Sequence, residues 1–235
     1  MKKLLLLFLG VILSLSPIFA SATIYGVSGA VTYPSAETSS PLNIDIKPYV
    51  IAYGSDTWYS ALSANVGVLP GVEVYGSTAF YASDDFSIGD LTTYGAKVQA
   101  PLGIKNTKVA GGATMYTNDS SDVYVVASNK IVDVKLADLT VSGGLNYHTQ
   151  KNSGMSNTTR GYVGASLQAT SMIRLSAEAS LPIFGDGDTI YSAGATVNLP
   201  GLSLSGGITN NEYGVSSKST GYYFSLGFGF GSGIK

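Results

Sequence analysis

Tyr222-Tyr223-Phe224-Ser225-Leu226-Gly227-Phe228-Gly229-Phe230 places large apolar residues at every even position and, after Tyr223, only serine and glycine at the odd ones. A period of two is that of a strand with one apolar face. The pattern recurs upstream. Leu139, Val141, Gly143, Leu145 and Tyr147 alternate with Thr140, Ser142, Gly144, Asn146 and His148, and Ile173, Leu175, Ala177, Ala179 and Leu181 with Arg174, Ser176, Glu178 and Ser180. Each segment is about ten residues long, enough for a tilted strand to cross the hydrocarbon core of a bilayer.

Working outward from these three segments predicts strands over 42–53, 57–69, 72–82, 91–101, 107–117, 122–132, 138–148, 159–170, 172–183, 189–199, 202–211 and 220–231. Their connections alternate in length. Leu69-Pro70-Gly71, Thr170-Ser171 and Leu199-Pro200-Gly201 are tight, whereas 82–90, 117–121, 149–158 and 210–219 are longer and rich in Ser, Asn, Asp and Thr. Tight turns on the periplasmic side and long loops outside are the habit of transmembrane barrels. The expectation is an all-β, antiparallel transmembrane β-barrel of 12 strands with both termini periplasmic. A hairpin-length repeat supports it: Tyr94-Gly95-Ala96-Lys97-Val98-Gln99-Ala100-Pro101 corresponds to Tyr191-Ser192-Ala193-Gly194-Ala195-Thr196-Val197-Asn198-Leu199-Pro200. Propeller blades need a longer period than one hairpin.

Composition agrees. Charged residues make up 12% of the chain, against roughly 25% in soluble domains, yet nothing after the first 22 residues is apolar for long enough to form a spanning helix. In those first residues Lys2 and Lys3 precede the apolar run Leu4–Leu13, and Ala20-Ser21-Ala22 closes it. Residues 1–22 therefore read as a cleaved signal peptide. Residues 23–40 form an N-terminal plug or periplasmic segment, and 41–235 the barrel. After cleavage 11 Lys and Arg face 15 Asp and Glu, which argues against nucleic acid as a partner. There is no cysteine, hence no disulfide or thiolate chemistry.

If the apolar parity faces lipid, strand charges belong on the other parity, because Lys or Arg facing mid-bilayer lipid costs about 2–4 kcal/mol. Asp45, Lys47, Glu73, Lys97, Lys108, Lys130, Arg174 and Glu178 all obey, and they are the expected pore-lining residues. Five are basic and three acidic, which suggests a mild anion preference. Opposite charges on neighbouring strands can also simply pair and fill the lumen. Gly95, Gly112, Ser142, Gly144, Ser205, Gly207 and Gly227 on the same parity are expected to leave room. Trp58, Phe80, Tyr94, Tyr147, Tyr191 and Tyr222 fall at the loop ends of strands, where an interfacial aromatic girdle sits.

No catalytic, metal or cofactor site is expected. His148 is the one histidine, and no serine sits in a distinctive nucleophile motif. The loop acids Asp84, Asp85, Asp90, Asp186 and Asp188 match no calcium-loop spacing.

Over residues 41–235 the architecture resembles Gram-negative outer-membrane β-barrel proteins of the porin-like kind. The resemblance implies the cell outer membrane as location, with its lipid and lipopolysaccharide as surroundings. It also implies insertion by the barrel-assembly machinery, which reads an aromatic C-terminal strand. Phe224, Phe228 and Phe230 fit, although the chain continues from Gly231 to Lys235 instead of ending on an aromatic residue. The expected function is a passive pore for small solutes. The alternatives are a structural or surface-interaction barrel with a closed lumen and, behind it, an outer-membrane hydrolase using His148.

Overall fold

A computed structural model describes residues 22–53, 57–82, 87–134, 137–150, 157–185, 187–211 and 220–231. The signal-peptide residues 1–21, loop residues 83–86, 151–156 and 212–219, and Asp186 lie outside that set.

Twelve strands form one closed antiparallel barrel: β1 (Ile44–Tyr53), β2 (Thr57–Leu69), β3 (Val72–Ala82), β4 (Ser87–Ala100), β5 (Thr107–Tyr116), β6 (Ser120–Val134), β7 (Ala137–Gln150), β8 (Thr158–Gln168), β9 (Ile173–Phe184), β10 (Ile190–Leu199), β11 (Leu202–Thr209) and β12 (Gly221–Phe230). Each strand pairs with its sequence neighbours, and β1 closes on β12 through a register that includes Ile44 opposite Phe230 and Tyr53 opposite Gly221. Closure leaves no strand edge unpaired, the condition for a sheet to survive in lipid. The strand beginning at Leu91 in the sequence reading begins at Ser87 instead. A register shift after Ala79 sets Phe80 opposite Ile88, so the ladder continues into what composition marks as loop.

The apolar parity lies outside. Val50, Leu62, Val74, Val98, Val125, Leu145, Val163, Leu175 and Phe224 are all exposed, Val163 by 62%. Apolar side chains at this density around the whole perimeter are the surface of a barrel that meets hydrocarbon rather than water. The girdle aromatics Trp58, Tyr94, Tyr147, Tyr191 and Tyr222 are exposed on the same outer face, Tyr222 by 71%.

Inside, Gly95, Gly112, Gly144 and Gly207 do not leave the expected room, because tyrosine rings from adjacent strands lie over them. A Cβ added to Gly95 would come within 2.7 Å of the Tyr75 hydroxyl, one on Gly112 within 2.4 Å of that of Tyr124, and one on Gly144 within 2.6 Å of that of Tyr162. Gly207 is covered likewise by Tyr223, at 2.8 Å from its ring. The glycines make space that the rings consume, which ties neighbouring strands together and narrows the lumen. Gly112→Ala should therefore lower stability by about 1–3 kcal/mol through overpacking, measured by urea unfolding in lipid vesicles. Val163→Arg on the lipid face should cost about 2–4 kcal/mol in the same assay.

Candidate functional site: the lumen

Residues 22–43 run through the barrel interior before β1 begins. The first fifteen, Ala22 to Ala36, contain no charged side chain, and Ile24, Val27, Val31, Tyr33 and Ala36 are buried. Ile24 and Val31 join a cluster with Tyr49, Ile51, Tyr53, Tyr59 and Tyr223 of the wall. Val27, Tyr33 and Ala36 join another with Tyr75, Tyr124, Val126 and Tyr162. The Tyr33 ring stacks on Tyr162 at 4.8 Å between centroids, and burial raises the pKa of its phenol above the ordinary tyrosine value. This segment is termed the strap below.

Four charged wall residues hold the strap by its main chain. Glu178 on β9 accepts from the amides of Val31, Thr32 and Tyr33 at 3.3, 2.6 and 3.3 Å. Glu73 on β3 accepts from Ser28 and Ser39, both at 2.8 Å, and Asp45 on β1 from Ala22 at 2.8 Å. Lys97 on β4 donates to the carbonyl oxygens of Ser28, Ser35 and Glu37 and to the Ser28 hydroxyl, and its Nζ lies 3.6 Å from Glu73 Oε1. Glu73 and Lys97 are wholly buried. Lys47 is also buried, its Nζ 5.1 Å from the centre of the Tyr49 ring.

The other three expected lining residues stand apart from this cluster. Lys108, Lys130 and Arg174 line a cavity of about 460 Å³ at the tight-turn end of the lumen, with Ser142, Ser166, Gln168 and the strap residues Tyr33, Pro34 and Glu37. Lys130 pairs with Asp138 at 2.8 Å, Lys108 with Glu37 at 3.7 Å, and Arg174 donates to the neutral Gln168 at 3.0 Å. A second cavity of about 350 Å³ lies at the long-connection end, lined by Tyr116, Asp122, Asn146, His148, Arg160 and again Tyr33 and Pro34. There His148 Nδ1 meets Asp122 Oδ1 at 2.7 Å, and the Tyr116 hydroxyl donates to Asp122 Oδ2 at 2.5 Å.

Asp122, Asp138 and Arg160 are inward residues that the charge list omits because they sit at strand starts. Parity alone would have found them, since Asp122 shares the face of Tyr124, Asp138 that of Thr140 and Arg160 that of Tyr162. With these three and Glu37 included, the named lumen cations and anions balance among the described residues, and the small positive excess of the eight disappears while the strap is in place.

A scan against protein-family models finds no match, and a search of curated proteins finds no relative. Among solved structures, a KdgM porin superposes with a TM-score of 0.64 at 11% identity, covering 79% of this chain and 99% of that one. The KdgM porin in complex with disordered oligogalacturonate gives 0.61 at 11% identity over 80% and 99%. A NanC porin gives 0.55 at 9% identity over 80% and 99%. The chain therefore has the fold of small porin-like outer-membrane barrels.

Replacing Glu73 by Gln strands the buried Lys97 charge, so stability should fall by about 3–5 kcal/mol. Glu73→Gln combined with Lys97→Met should recover part of that loss, read from unfolding midpoints in vesicles.

Proposed function

We propose that this chain is an outer-membrane pore for small solutes. The observation that carries the reading is the pair of cavities at opposite ends of one lumen, each lined by polar side chains and both bounded by Tyr33 and Pro34. Inside a porin fold, that arrangement is a path interrupted at one place. The proposed surroundings are acyl chains against the apolar band, a reading supported by its exposure, lipopolysaccharide around the aromatic girdle and, during insertion, the barrel-assembly machinery reading the Phe224, Phe228 and Phe230 strand. No catalytic role is assigned to His148, whose imidazole is tied to Asp122 across the β6–β7 pair.

A mild anion preference is part of the proposal. Among the described side chains and without Glu37 of the strap, the wall sets Lys47, Lys97, Lys108, Lys130, Arg160 and Arg174 against Asp45, Glu73, Asp122, Asp138 and Glu178, one more cation than anion. The second reading, a structural or surface barrel with a closed lumen, is favoured by the strap itself, which packs into both interior clusters.

Purified protein in planar bilayers should give discrete conductance steps, and under a salt gradient Arg174→Glu should move the reversal potential toward cation selectivity. Folded protein that never conducts, including variants with a loosened strap, would leave the closed-barrel reading standing.

A further inference from the structure

We propose that the lumen wall is a binding site for a turn-forming polypeptide held by its main chain, occupied in cis by residues 23–43, and that this occupancy makes the strap an exchangeable blocker of the pore. The blocking half rests on the pore reading above; the binding half does not.

The wall recognises the strap mostly where any polypeptide is alike. Asp45, Glu73 and Glu178 take amide N–H groups, and Lys97 takes carbonyl oxygens. Asn65 adds a bond from its amide to the Gly26 carbonyl at 3.2 Å, and Ser128 accepts from the Ala36 amide at 2.9 Å. Buried charges facing buried charges on a ligand would demand a matched sequence. Here the strap offers the buried wall charges chiefly peptide dipoles, with the Ser28 hydroxyl on Lys97. Its one charge, Glu37, meets the half-exposed Lys108, and its apolar side chains fill the tyrosine-lined clefts, so affinity comes mainly from main-chain geometry plus apolar burial. Two close approaches add a demand for glycine: a Cβ on Gly26 would lie 2.3 Å from the Gly76 carbonyl oxygen, and one on Gly29 would lie 2.2 Å from that of Tyr33. The class of ligand is thus a glycine-containing, turn-forming peptide that is free of charge over the stretch corresponding to residues 23–36.

The same contacts define the blocked state. Glu178 grips residues 31–33 at the place where the two cavities abut, so leaving that grip removes Tyr33 and Pro34 from between them. The strap is tethered to β1 through Leu42, held at φ 63°, a left-handed conformation uncommon for a bulky residue. A tether of this length holds the strap at an effective concentration of about millimolar, so a free peptide competes only when the strap is weakened.

Thr32→Pro weakens it without touching the wall, by removing the amide that donates to Glu178 at 2.6 Å. In the full chain this variant, which also loses the Thr32 hydroxyl contact with Ser192, should raise open time in bilayers about tenfold or more, the scale of losing a hydrogen bond to a charged group. A labelled synthetic peptide of residues 23–43 should bind the detergent-solubilised variant by fluorescence anisotropy and close its channels. The same peptide carrying Thr32→Pro should do neither. A native peptide that fails to bind, or a proline peptide that binds as well, overturns the proposal. Peptide binding without conductance in any variant overturns the pore reading and the blocking role together, and leaves the polypeptide site in place. If Thr32→Pro does not fold, Thr32→Cys with Ser192→Cys decides. The two hydroxyl oxygens lie 3.1 Å apart and the chain has no other cysteine. The oxidised protein should be shut and the reduced protein should open in bursts. Equal conductance in both states overturns the blocking role.

Discussion

Everything in the interior depends on how Glu178, Glu73 and Lys97 are compensated. A carboxylate or ammonium taken out of water costs several kcal/mol unless it is paired and hydrogen-bonded. The barrel places such groups in its buried interior on β3, β4 and β9, with one ion pair among these three, Glu73 with Lys97. The remaining compensation comes from the amides and carbonyls of residues 22–43. The strap is therefore a structural requirement of these wall charges as much as an occupant of free space, and removing it exposes them to whatever fills the lumen next.

The outside obeys a different constraint, imposed by hydrocarbon. Backbone groups must all be paired between strands, which forces closure of β1 on β12, and every charge must take the inward parity. These demands set the interior problem, since twelve strands enclose more volume than small side chains fill. Tyr75, Tyr124, Tyr162 and Tyr223 answer part of it by lying across glycines of neighbouring strands, and the strap answers most of the rest. Two cavities on the β5–β9 side stay unfilled.

Strand number, the tight turns at Pro70 and Pro200 and the lipid-facing residues were legible because a two-residue period and turn chemistry are local properties. The inward parity of the charges was equally local. Their partners were not, because Glu178 is bound by residues 145 to 147 positions away and nothing near it in the chain hints at that. Gly95, Gly112 and Gly144 misled for the same reason, since a missing side chain means vacancy or a neighbour's close approach, and only the cross-strand register shows which. Arg160 and Asp122 were readable in principle but lay at strand ends, where boundaries are least sharp.

The strap is continuous with β1, the strand that zips against β12 to complete the cylinder. Its anchors on β3, β4 and β9 are laid down by chain far downstream, so the first residues of the described chain wait for nearly the whole of it before their contacts exist. Such long-range pairing makes assembly slow, because loop entropy is lost before contacts repay it. A segment with no charge between residues 23 and 36 suits that wait. The connectivity couples the two features: the seam between β1 and β12 is flanked by the segment that fills the interior it encloses.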